Sequence, residues 1–120
     1  MNQNTRSAVA YIAARLITGK KSSSVYDYNR SKHVSIDGKV ENGSVDVYDY
    51  EIRASISGSS SNTNYNLYHY GYKHHIELNI KGKKFEGYDY GERCHFNGDV
   101  NGTSISFYDY GESKWYNYSI

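Results

Sequence analysis

Along most of this chain apolar and polar residues alternate, and the alternation is organised in blocks of about twenty residues. The block from Lys84 to Thr103, KFEGYDYGERCHFNGDVNGT, carries the pattern clearly. Strand side chains point alternately to opposite faces, so an antiparallel hairpin must bring apolar residues together on one of them. Setting Tyr90 opposite His95 across a four-residue loop, Gly91 to Cys94, does this. Asp89 then faces Phe96, Gly87 faces Gly98 and Phe85 faces Val100, with Tyr90 and His95 on the other face. The same rule pairs Leu67 with Leu78 and Tyr65 with Ile80, and near the end Phe107 with Tyr118 and Ile105 with Ile120. A slip of one residue would mix these positions with Ser, Asn and Glu.

The blocks are copies. A Tyr-x-Tyr triplet recurs five times, as Tyr26-Asp27-Tyr28, Tyr48-Asp49-Tyr50, Tyr68-His69-Tyr70, Tyr88-Asp89-Tyr90 and Tyr108-Asp109-Tyr110, in steps of 22, 20, 20 and 20 residues. A fixed period of this size means one supersecondary unit repeated in tandem. Between blocks, Val40 pairs with Val45 across Asn42-Gly43, Ile80 with Phe85 across Gly82-Lys83, and Val100 with Ile105 across Gly102-Thr103. Asn-Gly is a strong hairpin signal, and Gly in the first loop position suits a II′ turn. Asn62-Thr63 fills the corresponding place with the weakest signal of the four.

The reading is an all-β fold with one N-terminal helix, in which residues 22–120 form five hairpins and a ten-stranded antiparallel meander. An open meander would leave two edges and an uncovered apolar face, so closure into a pseudo-fivefold barrel is predicted. At a strand spacing of roughly 4.8 Å and a tilt of about 40°, ten strands enclose a radius of about 10 Å, wider than side chains alone fill.

The chain before the first hairpin supplies a filler. Residues 5–19 are predicted helical, with Asn4 or Thr5 as cap, Gly19 as terminator, and only Arg15 charged between Ala8 and Ile17. A helix apolar nearly all round is buried on every side. Its length of about 18–20 Å is close to the roughly 23 Å of a seven-residue strand, which places it in the lumen. The rival placements are a cap across one mouth or an oligomer contact. Chain direction then sets the start of the helix at the end bearing the triplets. There the middle residues Asp27, Asp49, His69, Asp89 and Asp109 point inward as a ring. The ring is expected to complement the helix N-terminus, with Arg6 as counter-ion, or to serve as turn acceptors. A hard cation is the other use of such carboxylates, but equivalent strands lie about 10 Å apart, too far for short side chains to converge.

Composition narrows the chemistry. The 120 residues make one domain, 1–120, with formal net charge +1, which speaks against capture of nucleic acid. Fifteen tyrosines, eleven glycines and no proline suit strands and tight turns. One cysteine, Cys94, precludes an internal disulfide. No signal segment or membrane-spanning stretch is read, so a soluble, cytoplasmic protein is expected. His33, His75 and His95 take equivalent places, each opposite the second Tyr of its triplet, with Ser55 and Trp115 there in the other blocks; packing on Tyr, not metal binding, is the expected use. No nucleophile with its base, phosphate loop or acid pair is found, so neither an enzyme nor a cofactor is predicted.

In repeat length, hairpin content and the helix, the chain resembles flower-like β-hairpin-repeat barrels of uncharacterised bacterial families. More distantly it is similar to tubby-like barrels closed around a central helix, a group associated with lipid binding. No catalytic or ligand residue of either group carries over. The outward tyrosines remain the functional signal: Tyr26, Tyr28, Tyr48, Tyr50, Tyr68, Tyr70, Tyr88, Tyr90, Tyr108 and Tyr110 form a belt able to stack on sugars or anchor a protein partner. The alternative is an apolar ligand or lipid carried in the lumen.

Overall fold

The computed structural model describes residues 1–120. One helix, α1 (Gln3–Thr18), precedes ten strands: β1 (Ser24–Asp27), β2 (Lys32–Glu41), β3 (Ser44–Asp49), β4 (Ala54–Ser61), β5 (Asn64–His69), β6 (His74–Lys81), β7 (Lys84–Asp89), β8 (Cys94–Asn101), β9 (Ser104–Asp109) and β10 (Lys114–Ser119). Successive strands pair antiparallel and β1 pairs with β10, closing the barrel. No helix is long and apolar enough to cross a membrane.

The two-residue base turns fall where the sequence puts them, flanked by the pairs Glu41↔Ser44, Ser61↔Asn64, Lys81↔Lys84 and Asn101↔Ser104. Gly82 and Gly102 open their turns at φ 61° and 63°, and Asn62 does the same at 67°; the residue after each is not left-handed. This is the II′ pattern. Asn62 takes a glycine's role there, which is why its turn is the least legible.

At the tips the register differs from expectation by two residues. Tyr88, not Tyr90, faces His95; Asp89 faces Cys94, Gly87 faces Phe96 and Phe85 faces Gly98. Likewise Leu67 pairs with Ile76 and Tyr65 with Leu78, and Phe107 pairs with Tyr116 and Ile105 with Tyr118. A shift of two keeps every side chain on its face, so alternation alone cannot detect it. The tip loop decides it. The loop runs Tyr90–Arg93, with Arg93 left-handed at φ 54° and Asp89 Oδ1 accepting the Gly91 N–H at 2.9 Å. The Tyr90 N–H turns away to the His75 carbonyl of the preceding hairpin.

The observed register also sets Gly87 against the Phe96 ring and Gly98 against the Phe85 ring. A Cβ on Gly98 would lie 2.0 Å from the Ser106 carbonyl oxygen and 2.5 Å from the Phe85 ring. Gly98→Ala is therefore expected to cost about 2 kcal/mol by overpacking, read as a lower urea midpoint at unchanged slope.

Inside, α1 runs as predicted along the lumen. Thr5 to Arg15 are buried, and Ala8 to Ala14 are wholly inaccessible. Small residues on this helix let β1, β2, β6, β8 and β9 approach it, and Phe85, Phe96, Phe107 and Tyr118 form a run of touching rings in the wall. The helix is capped by Asn2, whose side chain accepts the Asn4 N–H, rather than by Asn4 or Thr5; Gly19 ends it at φ 72°. The start shifts because Asn2 reaches N2 of the helix, the usual capping geometry.

The fivefold repeat breaks at one seam. Tyr48, Tyr68, Tyr88 and Tyr108 pair with Asp37, Ser57, Glu77 and Asn97 of the strand before. The equivalent partner of Tyr26 would be Asn117, but Tyr26 pairs with Ser119. The two extra residues of the first block lodge in β2, ten residues long against eight for β4, β6 and β8. Hairpin one thereby stands two residues further toward the tips against β3 and two residues further toward the base against β10, and only the pairs Tyr26↔Ser119 and Asp27↔Tyr118 join β1 to β10.

Candidate functional site

Two sets of residues converge at the tip end, one inside the barrel and one outside. The inner set is the ring Asp27, Asp49, His69, Asp89 and Asp109, all at most 1% exposed. Its common work is local. Asp27 Oδ1 accepts the Asn29 and Arg30 N–H groups, Asp49 Oδ1 that of Glu51, Asp89 Oδ1 those of Gly91 and Glu92, and Asp109 Oδ1 those of Gly111 and Glu112. These are Asx turns that fix each tip loop. His69 does the same through Nδ1, with Gly71 and Tyr72 as donors.

The second oxygens differ. Asp109 Oδ2 meets the Met1 amine at 2.8 Å and Arg6 Nη1 at 3.1 Å. Asp27 Oδ2 meets Arg30 Nε at 2.7 Å, and Arg30 reaches on to Glu51, which also pairs with Lys32. Asp49 and Asp89 leave Oδ2 buried without a hydrogen bond, although His74 Nδ1 stands 3.2 Å from Asp89 Oδ1. The expected complement to the helix N-terminus is thus carried by Asp109 through Arg6, not by four carboxylates on helix N–H groups. Burial raises the Asp27 carboxyl, but Arg30 and the loop N–H groups outweigh it and hold it low. Burial leaves Asp49 raised. Cys94 lies near Asp109, its Sγ 3.9 Å from Oδ1, and burial pushes its thiol up. No three His, Cys, Asp or Glu side chains converge closely enough to hold a metal ion.

The outer set is the tyrosine belt. In all five hairpins the two triplet rings meet edge to face with centroids 4.7–4.9 Å apart. The third partner packs on the first Tyr, not the second: His33 on Tyr26, His75 on Tyr68, His95 on Tyr88 and Trp115 on Tyr108. The belt therefore has two layers. The first tyrosines are mostly half-buried, whereas Tyr28, Tyr50, Tyr70, Tyr90 and Tyr110 are 52–58% exposed. Their hydroxyls lean over the preceding hairpin, where Tyr90 donates to Glu77 and Tyr110 accepts from Asn97.

Ser55 breaks this pattern. It stands opposite Tyr48 where three other hairpins have His, and beside it opens a shallow cleft of 730 Å³. Tyr48 and Tyr70 line it together with Asp46, Arg53, Ser55 and Ser57. The sequence marks this spot only as the missing histidine. Arg30 and Arg15, which organise the tip network and the opposite end of the lumen, carry no signal in the repeat because they lie outside its shared positions. Comparison with models of protein families, with curated proteins and with solved structures returns no match for this chain.

Proposed function

We propose that the protein is a non-catalytic binding module that stacks sugar rings on its tyrosine belt, with the Tyr48–Tyr70 cleft as the principal subsite. The observation that carries this reading is that cleft, whose lining combines two tyrosine rings with a carboxylate, a guanidinium and two hydroxyls. Aromatic faces take the C–H faces of a sugar, and the polar groups take its hydroxyls. Its volume is within the range of small-ligand sites. The other exposed rings recur on every second strand, about 10 Å apart, so an extended or clustered glycan engages several weak subsites at once.

The lipid-carrier alternative finds no comparable support, because α1 occupies the lumen and its central turns are inaccessible. A glycan array tests the proposal. Binding is expected above background, lost in Tyr48→Ala with Tyr70→Ala, and reduced at least tenfold in Ser55→His, which restores the ring present in His33, His75 and His95. Failure to bind any glycan, or binding indifferent to both variants, would overturn it; a protein partner would then be the use of the belt.

A further inference from the structure

The seam leaves a second, independent feature at the opposite end of the barrel. In four hairpins the residue at one equivalent position, at the base end of the second strand, donates its N–H to the preceding base turn: Ser60 to Gly43, Ile80 to Thr63, Val100 to Lys83 and Ile120 to Thr103. Val40 is the fifth such residue, and because β1 begins only at Ser24 its N–H has no partner. Two residues earlier, Gly38 lacks the strand partner that Gly58 has in Val45. Its carbonyl is taken instead by Arg15 at 2.9 Å, and its N–H by its neighbour Asp37 at 2.8 Å. On the side of β1 the base half of β2 thus pairs with no strand, and the Val40 N–H is its free donor. Such an edge is a template for another strand.

Beside it lies a cleft of 670 Å³. Gly38, Lys39 and Val40 form one wall, and Lys21 and Ser22 of the connection from α1 form the other, with Arg15 also lining the cleft. Arg15 is 7% exposed and faces no carboxylate; Nη1 is held by Tyr11 and Gly38, and Nε is buried without a partner. The other charges of the lining balance, Lys21 and Lys39 against Asp37 and Glu41, with Lys39 and Glu41 3.7 Å apart, so Arg15 is its surplus cation.

We propose that this cleft binds the C-terminal end of an extended peptide, which adds a short strand to β2 while Arg15 takes the terminal carboxylate. Each part answers an observed group. The unpaired Val40 N–H is satisfied by another backbone, and a guanidinium that lines the cleft and faces no carboxylate fits one. A chain end fits better than a passing strand, because Ser23 bonds to Ile36 and closes the cleft toward the tips, on the side where Arg15 sits.

The test is calorimetric titration of the whole protein with an N-acetylated pentapeptide of alternating valine and threonine bearing a free C-terminal carboxylate, beside its C-terminal amide. The acid is expected to bind at least tenfold tighter than the amide. Arg15→Gln should erase that difference. Val40→Pro removes an N–H that bonds to nothing in the barrel, at an edge position where proline is tolerated, so it should leave the circular dichroism spectrum intact and abolish peptide binding. No binding of either peptide, equal binding of acid and amide, or unchanged binding in Val40→Pro would each overturn the proposal. Binding of inorganic phosphate without peptide would overturn it too, leaving an oxyanion site alone.

Discussion

Replacing Asp109 by asparagine should destabilise the barrel by about 3–5 kcal/mol at neutral pH, whereas the same replacement at Asp49 should leave it equally stable or more so. The two residues occupy the same place in the repeat, are fully buried, and cap their tip loops through Oδ1 in the same way. An asparagine retains that acceptor at either position. The difference is at Oδ2. In Asp109 it compensates two buried cations, the Met1 amine and Arg6, and Arg6 is otherwise surrounded by neutral groups: the Met1 carbonyl, the Tyr118 hydroxyl and the face of Tyr116. An amide there removes the anion and can turn an N–H₂ toward both cations. A buried charge left without its partner is among the costliest single defects. In Asp49, Oδ2 has no partner at all, and burial raises the carboxyl above its ordinary range. A folded-state value raised above the unfolded one contributes stability at low pH that is lost as pH rises, so at pH 7 the Asp49 charge works against the fold. Urea denaturation of both variants at pH 7 measures the contrast. Equal losses would show that the ring acts as a uniform acidic collar and that Arg6 has no special partner in it.

That contrast also marks what the sequence could express. The period, the inward and outward faces and the base turns follow from local alternation and turn chemistry, which act over a few residues and are repeated four or five times, and the single helix follows from an uninterrupted apolar run. Five copies of a signal make it legible. The tip register was not legible in the same way, because a two-residue shift preserves the faces; it depends on Asp89 closing an Asx turn and on the Tyr90 N–H reaching a neighbouring hairpin. The features that distinguish one hairpin from another are legible least. Arg15, Arg30, Ser55 and the two added residues of β2 occur once each, and their meaning comes from what closure of the barrel brings beside them. The candidate sites sit at such departures: the belt has its cleft where Ser55 replaces a ring, and the seam has its free edge where β1 starts short of the base half of β2. Repetition builds the scaffold here, and its interruptions supply the chemistry.

His69 is the one interruption inside the ring, and it should make stability depend on pH in a range where the aspartates that replace it elsewhere would not. Its Nδ1 accepts the Gly71 N–H at 3.1 Å and the Tyr72 N–H at 3.2 Å, so this nitrogen is unprotonated and the proton sits on Nε2, which is buried without a partner. Protonating Nδ1 would break both loop bonds. Burial first, and then the nearby His74, push the His69 imidazole down from 6.5 to about 4. The unfolded chain therefore takes up a proton near pH 6.5 that the barrel refuses until about pH 4. Stability contributed by the neutral ring is complete above the unfolded value and is lost as pH falls through this window, by about 2 kcal/mol at pH 5 and about 3 kcal/mol by the time both states are protonated. His69→Asn isolates the effect, since the amide oxygen can cap the same two N–H groups as the aspartates do at the other four positions and does not titrate. Lost ring packing against Tyr72 and His74 will lower the variant's stability at every pH, so the informative quantity is the slope. Urea midpoints measured between pH 7 and pH 5 should converge, the native protein losing about 2 kcal/mol more than the variant. Parallel profiles over that window would mean that His69 accepts its proton in the folded barrel as readily as in the unfolded chain, and that its bonds to Gly71 and Tyr72 do not hold it neutral.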